Sequence, residues 1–167
     1  ELLSENLQRT NTSLERFVPK EFLAFLGTES LHEIELGDHS EQEMSVLFAD
    51  IRSFTRLSER LSPEETFRFI NGYLERMGPV IREYGGFVDK YLGDGIMALF
   101  PSGPERAARC AVEMHRQLAA YNAERAARGE EPIAIGIGLH HGTLMLGTIG
   151  EASRGIIVPK FRGDLVA

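Results

Sequence analysis

The stretch EMSVLFADIRSFT, residues 43–55, joins an apolar run to a carboxylate and then to a helix-like turn. Apolar residues occupy both alternating faces of residues 43–51, which predicts a strand buried in the middle of a sheet. Asp50 lies at the end of that strand, and Phe54 and Thr55 follow directly. The stretch therefore predicts a core strand that delivers one acidic side chain to the edge of the sheet.

Three helices are predicted around this strand. Pro19 and Gly27 mark the ends of a short one, and residues 28–42 read as a loop. Ser62, Pro63 and Glu65 mark the start of a long helix with an N-cap, a proline at its first position and a capping-box glutamate. The predicted inner face of that helix comprises Phe67, Ile70, Leu74, Met77 and Ile81. A third helix is predicted over 104–129, with Ala107, Ala111, Met114, Leu118 and Tyr121 inside.

The remaining apolar runs predict strands. Residues 87–100 are broken by Gly93-Asp94-Gly95, which is typical of a hairpin. Residues 133–150 predict two more strands around a turn at His141-Gly142, where His140 and His141 would have surface or packing roles. The order strand, helix, hairpin, helix, strand, strand predicts an α+β fold with a ferredoxin-like antiparallel sheet and helices packed on it.

Composition narrows the class of protein. The 167 residues carry a net charge of −7, which argues against a non-specific nucleic-acid binder. No apolar run approaches the ~20 residues that span a bilayer, so no membrane contact is expected of these residues. The single cysteine, Cys110, is predicted to be a buried packing residue. The chain begins at Glu1 without methionine, and we expect it to be part of a longer, cytoplasmic protein.

Asp50 and Asp94 are the candidate chemical groups. The strand end and the hairpin turn are neighbours in a ferredoxin-like sheet, so their carboxylates can converge at one edge. Paired carboxylates beside nucleotide phosphates are a common way to hold Mg²⁺. The residues alone leave another interpretation open, in which Asp50 caps the next helix and Asp94 only serves its turn.

Three segments in order, FADIRSFTRLSE (48–59), GGFVDKYLGDGIMALF (85–100) and IGIGLHHGTLMLGTIGE (135–151), resemble the catalytic domain of class III nucleotidyl cyclases of the bacterial adenylate cyclase type. The resemblance covers roughly residues 17–154. It implies a homodimer with active sites at the interface, which converts ATP to 3′,5′-cyclic AMP and pyrophosphate. Residues 1–16 resemble the linker helix that joins an upstream sensory domain to such a catalytic core.

The resemblance assigns roles by position. Asp50 and Asp94 match the metal-binding aspartates for two Mg²⁺ or Mn²⁺ ions, with the carbonyl of Ile51 as a further ligand. Residues 52–55, including Ser53, Phe54 and Thr55, match the phosphate-binding turn. Lys90, with Gly93 after it, matches the position that reads the nucleobase, and a lysine there suits the N1 acceptor of adenine. A solvent-exposed strand lysine is the alternative interpretation of Lys90.

The sequence departs from this family after residue 154. The family continues with a strand and then with a helix that bears an asparagine and an arginine, whereas residues 155–167, GIIVPKFRGDLVA, form a divergent tail. We therefore expect the C-terminal part of the fold to be incomplete and the chain to be weakly active or inactive. A non-catalytic module that binds nucleotide or dimerises remains the second hypothesis. A diguanylate cyclase is disfavoured because no GGDEF-like hairpin is present.

Overall fold

The computed structural model describes residues 10, 12–13, 17–29, 33–151 and 154–161. Of the predicted linker helix, residues 10, 12 and 13 are described and are helical, and the rest lies outside the described residues, as does the tail after Phe161. The elements are α1 (Lys20–Phe25), β1 (His39–Ile51), α2 (Phe54–Ser58), α3 (Pro63–Glu83), β2 (Phe87–Leu92), β3 (Gly95–Phe100), α4 (Pro104–Ala127), β4 (Ile135–Glu151) and β5 (Arg154–Phe161).

The chain divides into two compact units, of which Met44–His141 is the larger. Its strands lie in the order β2-β3-β1-β4, and both β1 and β2 pair antiparallel with β3. Helices α3 and α4 cover one face of these strands, and the core between them includes Leu47, Ala49 and Ile51 of β1. The predicted α+β fold, an antiparallel sheet with helices packed on it, is confirmed.

The other unit comprises the segments Glu1–Glu43 and Gly142–Ala167. In it α1 buries Phe22, and β5 pairs antiparallel with the second half of β4, from Leu144 opposite Phe161 to Glu151 opposite Arg154. Residues 154–161, nearly all of them in the predicted tail, therefore form a strand. No helix among the described residues is both long and apolar enough to cross a membrane.

The helix starts and the hairpin were predicted correctly. Ser62 caps α3 and Glu65 closes the capping box, because the Glu65 N–H donates to the Ser62 hydroxyl and the Ser62 N–H donates to the Glu65 carboxylate. The segments β2 and β3 form the hairpin around Gly93-Asp94. Cys110 is fully buried on α4, as predicted for a packing residue.

Three predictions were wrong in detail. The strand β1 begins at His39 rather than residue 43, because residues 39–43 are polar and partly exposed and so carry no hydrophobic signal. The segment β4 is one continuous strand, so His140 and His141 lie inside it and not in a turn. The inner face of α3 is rotated, since Phe67 is 70% exposed whereas Phe69 and Tyr73 are buried.

Candidate active site

Asp50 projects from the face of β1 that lies opposite α3 and α4. The residues Leu47, Ala49 and Ile51 belong to the core under α3 and α4, so the alternation of a strand sends Asp50 to the opposite face. Its side chain is exposed, and it stands one residue before the end of the strand. The buried apolar run thus holds one carboxylate at the sheet edge, on the side that the helices leave open.

Asp94 meets Asp50 from the turn of the β2–β3 hairpin. Its Oδ2 accepts a hydrogen bond of 3.1 Å from the backbone N–H of Ile51, the residue directly after Asp50. Partial burial, a hydrogen bond with the Asp50 carboxyl and the charge of Asp50 together raise the pKa of Asp94 to about 6. The two predicted carboxylates therefore lie close to each other.

The hairpin turn depends on two glycines. Gly93 has a φ of 64°, which suits glycine at the first loop position of a two-residue hairpin. A Cβ on Gly95 would lie 3.1 Å from the carbonyl oxygen of Leu92 and 3.6 Å from that of Ala49. Gly93 thus serves the backbone conformation of the turn, whereas Gly95 leaves room for the close approach of the backbones of β1 and the hairpin.

Lys90 lies on the same sheet face as Asp50, opposite α3 and α4. It pairs with Met97 of β3, whereas the neighbours of Met97 in that strand, Ile96 and Ala98, belong to the core under the helices. Its ammonium is 3.5 Å from the carboxylate of Asp89. The three adjacent strands β1, β3 and β2 thus position all three side chains: β1 carries Asp50, β2 carries Lys90, and the turn between β2 and β3 carries Asp94.

The turn that precedes α2 contains Ser53, Phe54 and Thr55. Ser53 has a φ of 58° and a ψ of 29°, and among the described residues it is the one non-glycine residue in the left-handed region. It stands at the N-cap of α2, yet its side chain makes no capping hydrogen bond. A left-handed residue followed by a helical one directs successive backbone N–H groups to the same side, and such a concavity suits an anion.

Two buried polar groups near the site escaped the sequence prediction. The hydroxyl of Tyr73, on α3, and the Oδ2 atom of Asp89, on β2, are buried without a hydrogen-bond partner in the part of the chain that is described. Burial raises the pKa of Tyr73, and the charges of Asp94 and Asp50 raise it further. The sequence does offer one indication for Tyr73, since it is a residue with a polar group among the apolar residues of α3.

A groove of about 850 Å³ runs along α3 and α4 and contains Phe69, Gly72 and Tyr121, but none of the predicted site residues lines it. On β4, the Nδ1 atom of His141 is 3.0 Å from the hydroxyl of Ser45. The carboxylate pair formed by Asp50 and Asp94 is suited to a substrate that brings further oxygen ligands of its own.

Residues 37–157 match the family model of the Adenylate and Guanylate cyclase catalytic domain. This chain belongs to that family. The predicted recognition as a class III cyclase is therefore confirmed. An adenylate cyclase of Anabaena cylindrica is 44% identical to this cyclase domain over 153 residues, which cover 89% of the chain and 30% of the Anabaena protein. The chain thus spans less than a third of that relative.

Two solved structures show the same fold as this cyclase domain. The adenylyl cyclase CyaB from P. aeruginosa matches with a TM-score of 0.67 and 28% identity, over 74% of this chain and 68% of that one. The guanylyl cyclase Cya2 matches with a TM-score of 0.64 and 35% identity, over 75% and 66%. Since both kinds of cyclase resemble the domain, overall similarity does not determine which nucleobase it accepts.

Proposed function

We propose that this cyclase domain converts ATP to 3′,5′-cyclic AMP and pyrophosphate. The observation that carries the proposal is the convergence of the Asp50 and Asp94 carboxylates on the sheet face that also presents Lys90. In this reaction the ribose 3′ oxygen attacks the α-phosphorus and pyrophosphate leaves. The chemistry therefore needs positioning and charge neutralisation more than a protein nucleophile.

Asp50 and Asp94 fit a site for Mg²⁺ or Mn²⁺. Both supply carboxylate oxygens, and the pKa of Asp94 is raised by its partial burial and by the neighbouring Asp50 carboxyl. No group of three or more His, Cys, Asp or Glu side chains within the described residues could hold a metal ion, so the carbonyl of Ile51, water and substrate oxygens would complete the ligand set. Two bound cations would activate the attacking oxygen and neutralise the leaving phosphates.

The turn at Ser53, Phe54 and Thr55 would hold the β- and γ-phosphates through backbone N–H groups. The left-handed Ser53 supports this role, because its conformation costs free energy that an anion contact would recover. Lys90 would donate to N1 of adenine, which is an acceptor, whereas N1 of guanine carries a proton. The substrate would therefore lie on the sheet face that carries Asp50 and Lys90, with its phosphates at β1 and its base at β2.

A second copy of the chain would complete the site. The resemblance places an asparagine and an arginine, which contact ribose and phosphate, in a segment where this chain diverges. The exposed Asp50 fits a homodimer in which each copy covers the carboxylates of the other. We also propose an upstream sensory domain in the parent protein, as the resemblance of residues 1–16 to a linker helix implies. We propose the cytoplasm as the site of the reaction, because ATP is available there.

The test is product formation from ATP and GTP with Mn²⁺. We expect weak formation of cyclic AMP by the unmodified chain, because the asparagine and arginine of the family fall in the segment where this chain diverges. Asp50→Asn should lower that activity by at least about 100-fold, because a charged metal ligand becomes neutral. Glu83→Gln, which changes an exposed carboxylate at the end of α3, is the matched control and should retain activity. Unchanged activity in Asp50→Asn would contradict the metal assignment.

A second readout separates catalysis from binding. ATP with its α,β-bridging oxygen replaced by methylene cannot release pyrophosphate, so its dissociation constant reports occupancy alone. Binding of this analogue without any cyclic product from ATP would support the alternative of a non-catalytic nucleotide-binding module. Absence of both product and binding would overturn the proposal for this chain.

A further inference from the structure

Lys90 reaches the sheet face opposite the helices because of a β-bulge. Val88 pairs with Ala98 and Lys90 pairs with Met97, so Asp89 is one extra residue in β2 with no partner in β3. In an uninterrupted ladder Lys90 would lie opposite Ile96, which is 1% exposed in the core under the helices. A shift of one residue moves every later side chain to the other face. The inserted residue therefore turns Lys90 from the core to the site.

Asp89 is a costly residue to insert at this position. Its side chain is 2% exposed, and its Oδ2 has no hydrogen-bond partner among the described residues. Its nearest charge is the ammonium of Lys90 at 3.5 Å, a distance that permits an ion pair but not a good hydrogen bond. A buried carboxylate with so little compensation destabilises the fold, and such violations concentrate at functional sites.

Burial agrees with this description, because it raises the pKa of Asp89 to about 6 while the charge of Lys90 opposes the rise. The cost falls on the one residue that both creates the bulge and contacts Lys90. A stabilising role would instead favour an apolar or amide side chain there. The position is thus better explained by what Asp89 does to Lys90 than by what it does for the strand.

We propose that Asp89 is a positioning residue that sets nucleobase preference through Lys90. The bulge brings Lys90 to the sheet face that carries Asp50, and the buried carboxylate restrains its ammonium where an acceptor at N1 of adenine can meet it. This inference rests on the proposed function, because it assumes that the site holds a purine nucleotide. The selected class is a purine that presents an acceptor, over one that presents a donor.

The experiment compares Asp89→Asn, which keeps the side-chain volume and removes the charge, with the unmodified chain and with Glu83→Gln. Dissociation constants are measured for the α,β-methylene analogues of ATP and GTP in the presence of Mn²⁺. We expect Asp89→Asn to bind the ATP analogue about tenfold more weakly, with little change for the GTP analogue, since a freed ammonium loses much of its orientation. The free energy of unfolding should stay equal or rise.

The change in the free energy of unfolding of Asp89→Asn distinguishes a positioning role of Asp89 from a structural one. A merely structural Asp89 would make Asp89→Asn both less stable and weaker for the two analogues alike, and that result would overturn the inference. Asp89→Glu, which keeps the charge, should recover part of the preference for the ATP analogue.

A double-mutant cycle with Lys90→Ala tests the route of action. If Asp89 acts through Lys90, then Asp89→Asn should have no further effect on the affinity for the ATP analogue in the Lys90→Ala background. Additive effects would overturn the inference. Binding of neither analogue by the unmodified chain would overturn the proposed function and this inference with it, whereas tight ATP-analogue binding that Asp89→Asn leaves unchanged would overturn the inference alone.

Discussion

Tyr73 carries a buried polar atom within electrostatic reach of the candidate active site. The side chain lies in the core on α3, and its hydroxyl has no hydrogen-bond partner among the described residues. The charges of Asp94 and Asp50 nevertheless reach it, since both raise its pKa. A phenylalanine would fill the same volume without an unsatisfied polar atom. The hydroxyl is therefore a cost to stability that adjoins the two carboxylates.

We expect Tyr73→Phe to raise the free energy of unfolding or leave it unchanged, with a gain of up to about 1 kcal/mol, because the unsatisfied hydroxyl is removed. Denaturant unfolding measures the change. Tyr91→Phe, at a residue that is 52% exposed, is the control and should have no effect. A clear loss of stability in Tyr73→Phe would mean that the hydroxyl has a partner that its surroundings do not indicate.

At the scale of residues, the sequence predicted a site residue where a chemically reactive side chain also stands at a recognisable strand end or turn. Asp50 ends an apolar strand and Asp94 occupies a glycine turn, so both could be predicted as an edge pair. Asp89 and Tyr73 could not, because their meaning depends on a one-residue bulge and on depth in the core. The hydrophobic pattern of residues 87–92 is the same with or without a bulge, and pairing with β3 is needed to see it.

At the scale of elements, the start of α3 could be predicted because its capping residues are recognisable in the sequence. The reciprocal hydrogen bonds of Ser62 and Glu65 satisfy backbone N–H groups that a helix cannot satisfy itself. They lower the pKa of Glu65, the backbone bond most of all. Since this folded-state pKa lies below the ordinary value of 4.5, the contribution of Glu65 to stability is present above that pH and is lost as the pH falls.

We expect Ser62→Ala to lower the free energy of unfolding by about 1 kcal/mol, because one N–H of the first turn loses its acceptor. The loss should shrink at acid pH, where Glu65 is protonated and the box is already weakened. Ser58→Ala, which removes a hydroxyl outside the box that donates to the carbonyl of Thr55, should cost less. Equal losses in both variants would contradict the role of the capping box.

Strand boundaries were harder to predict where backbone pairing extends a strand through residues that do not alternate between apolar and polar. The first residues of β1 are polar on both faces, and the continuation of β4 through His141-Gly142 follows from its neighbours rather than from its own composition. On α3 two apolar stripes overlap at Met77 and Ile81, and packing selected the stripe that contains Phe69 and Tyr73. Periodicity fixes that a helix is amphipathic but leaves such a rotation open.

At the scale of the whole molecule, the pH dependence of stability follows from the carboxyl groups whose pKa is raised. Burial holds the pKa of Asp89 at about 6, above its ordinary value of 3.8. Between these values the folded state binds more protons than the unfolded state, so stability is greatest at the acid end and falls as the pH rises. Asp94, with a pKa also near 6, acts in the same direction.

We expect the free energy of unfolding of the metal-free chain to fall between about pH 4 and pH 7, opposite to the usual behaviour of surface carboxylates such as Glu65. Asp89→Asn should flatten this decline by an amount on the order of 3 kcal/mol, since the pKa of Asp89 rises from 3.8 to about 6 and each tenfold change in proton affinity corresponds to about 1.4 kcal/mol. Urea unfolding at several pH values measures the slope, and Glu83→Gln serves as the control with the slope of the unmodified chain. If the pH dependence of the free energy of unfolding is the same in Asp89→Asn, burial of the Asp89 carboxylate does not destabilise the folded state. In that case the carboxylate must be better compensated by Lys90 than their 3.5 Å separation indicates.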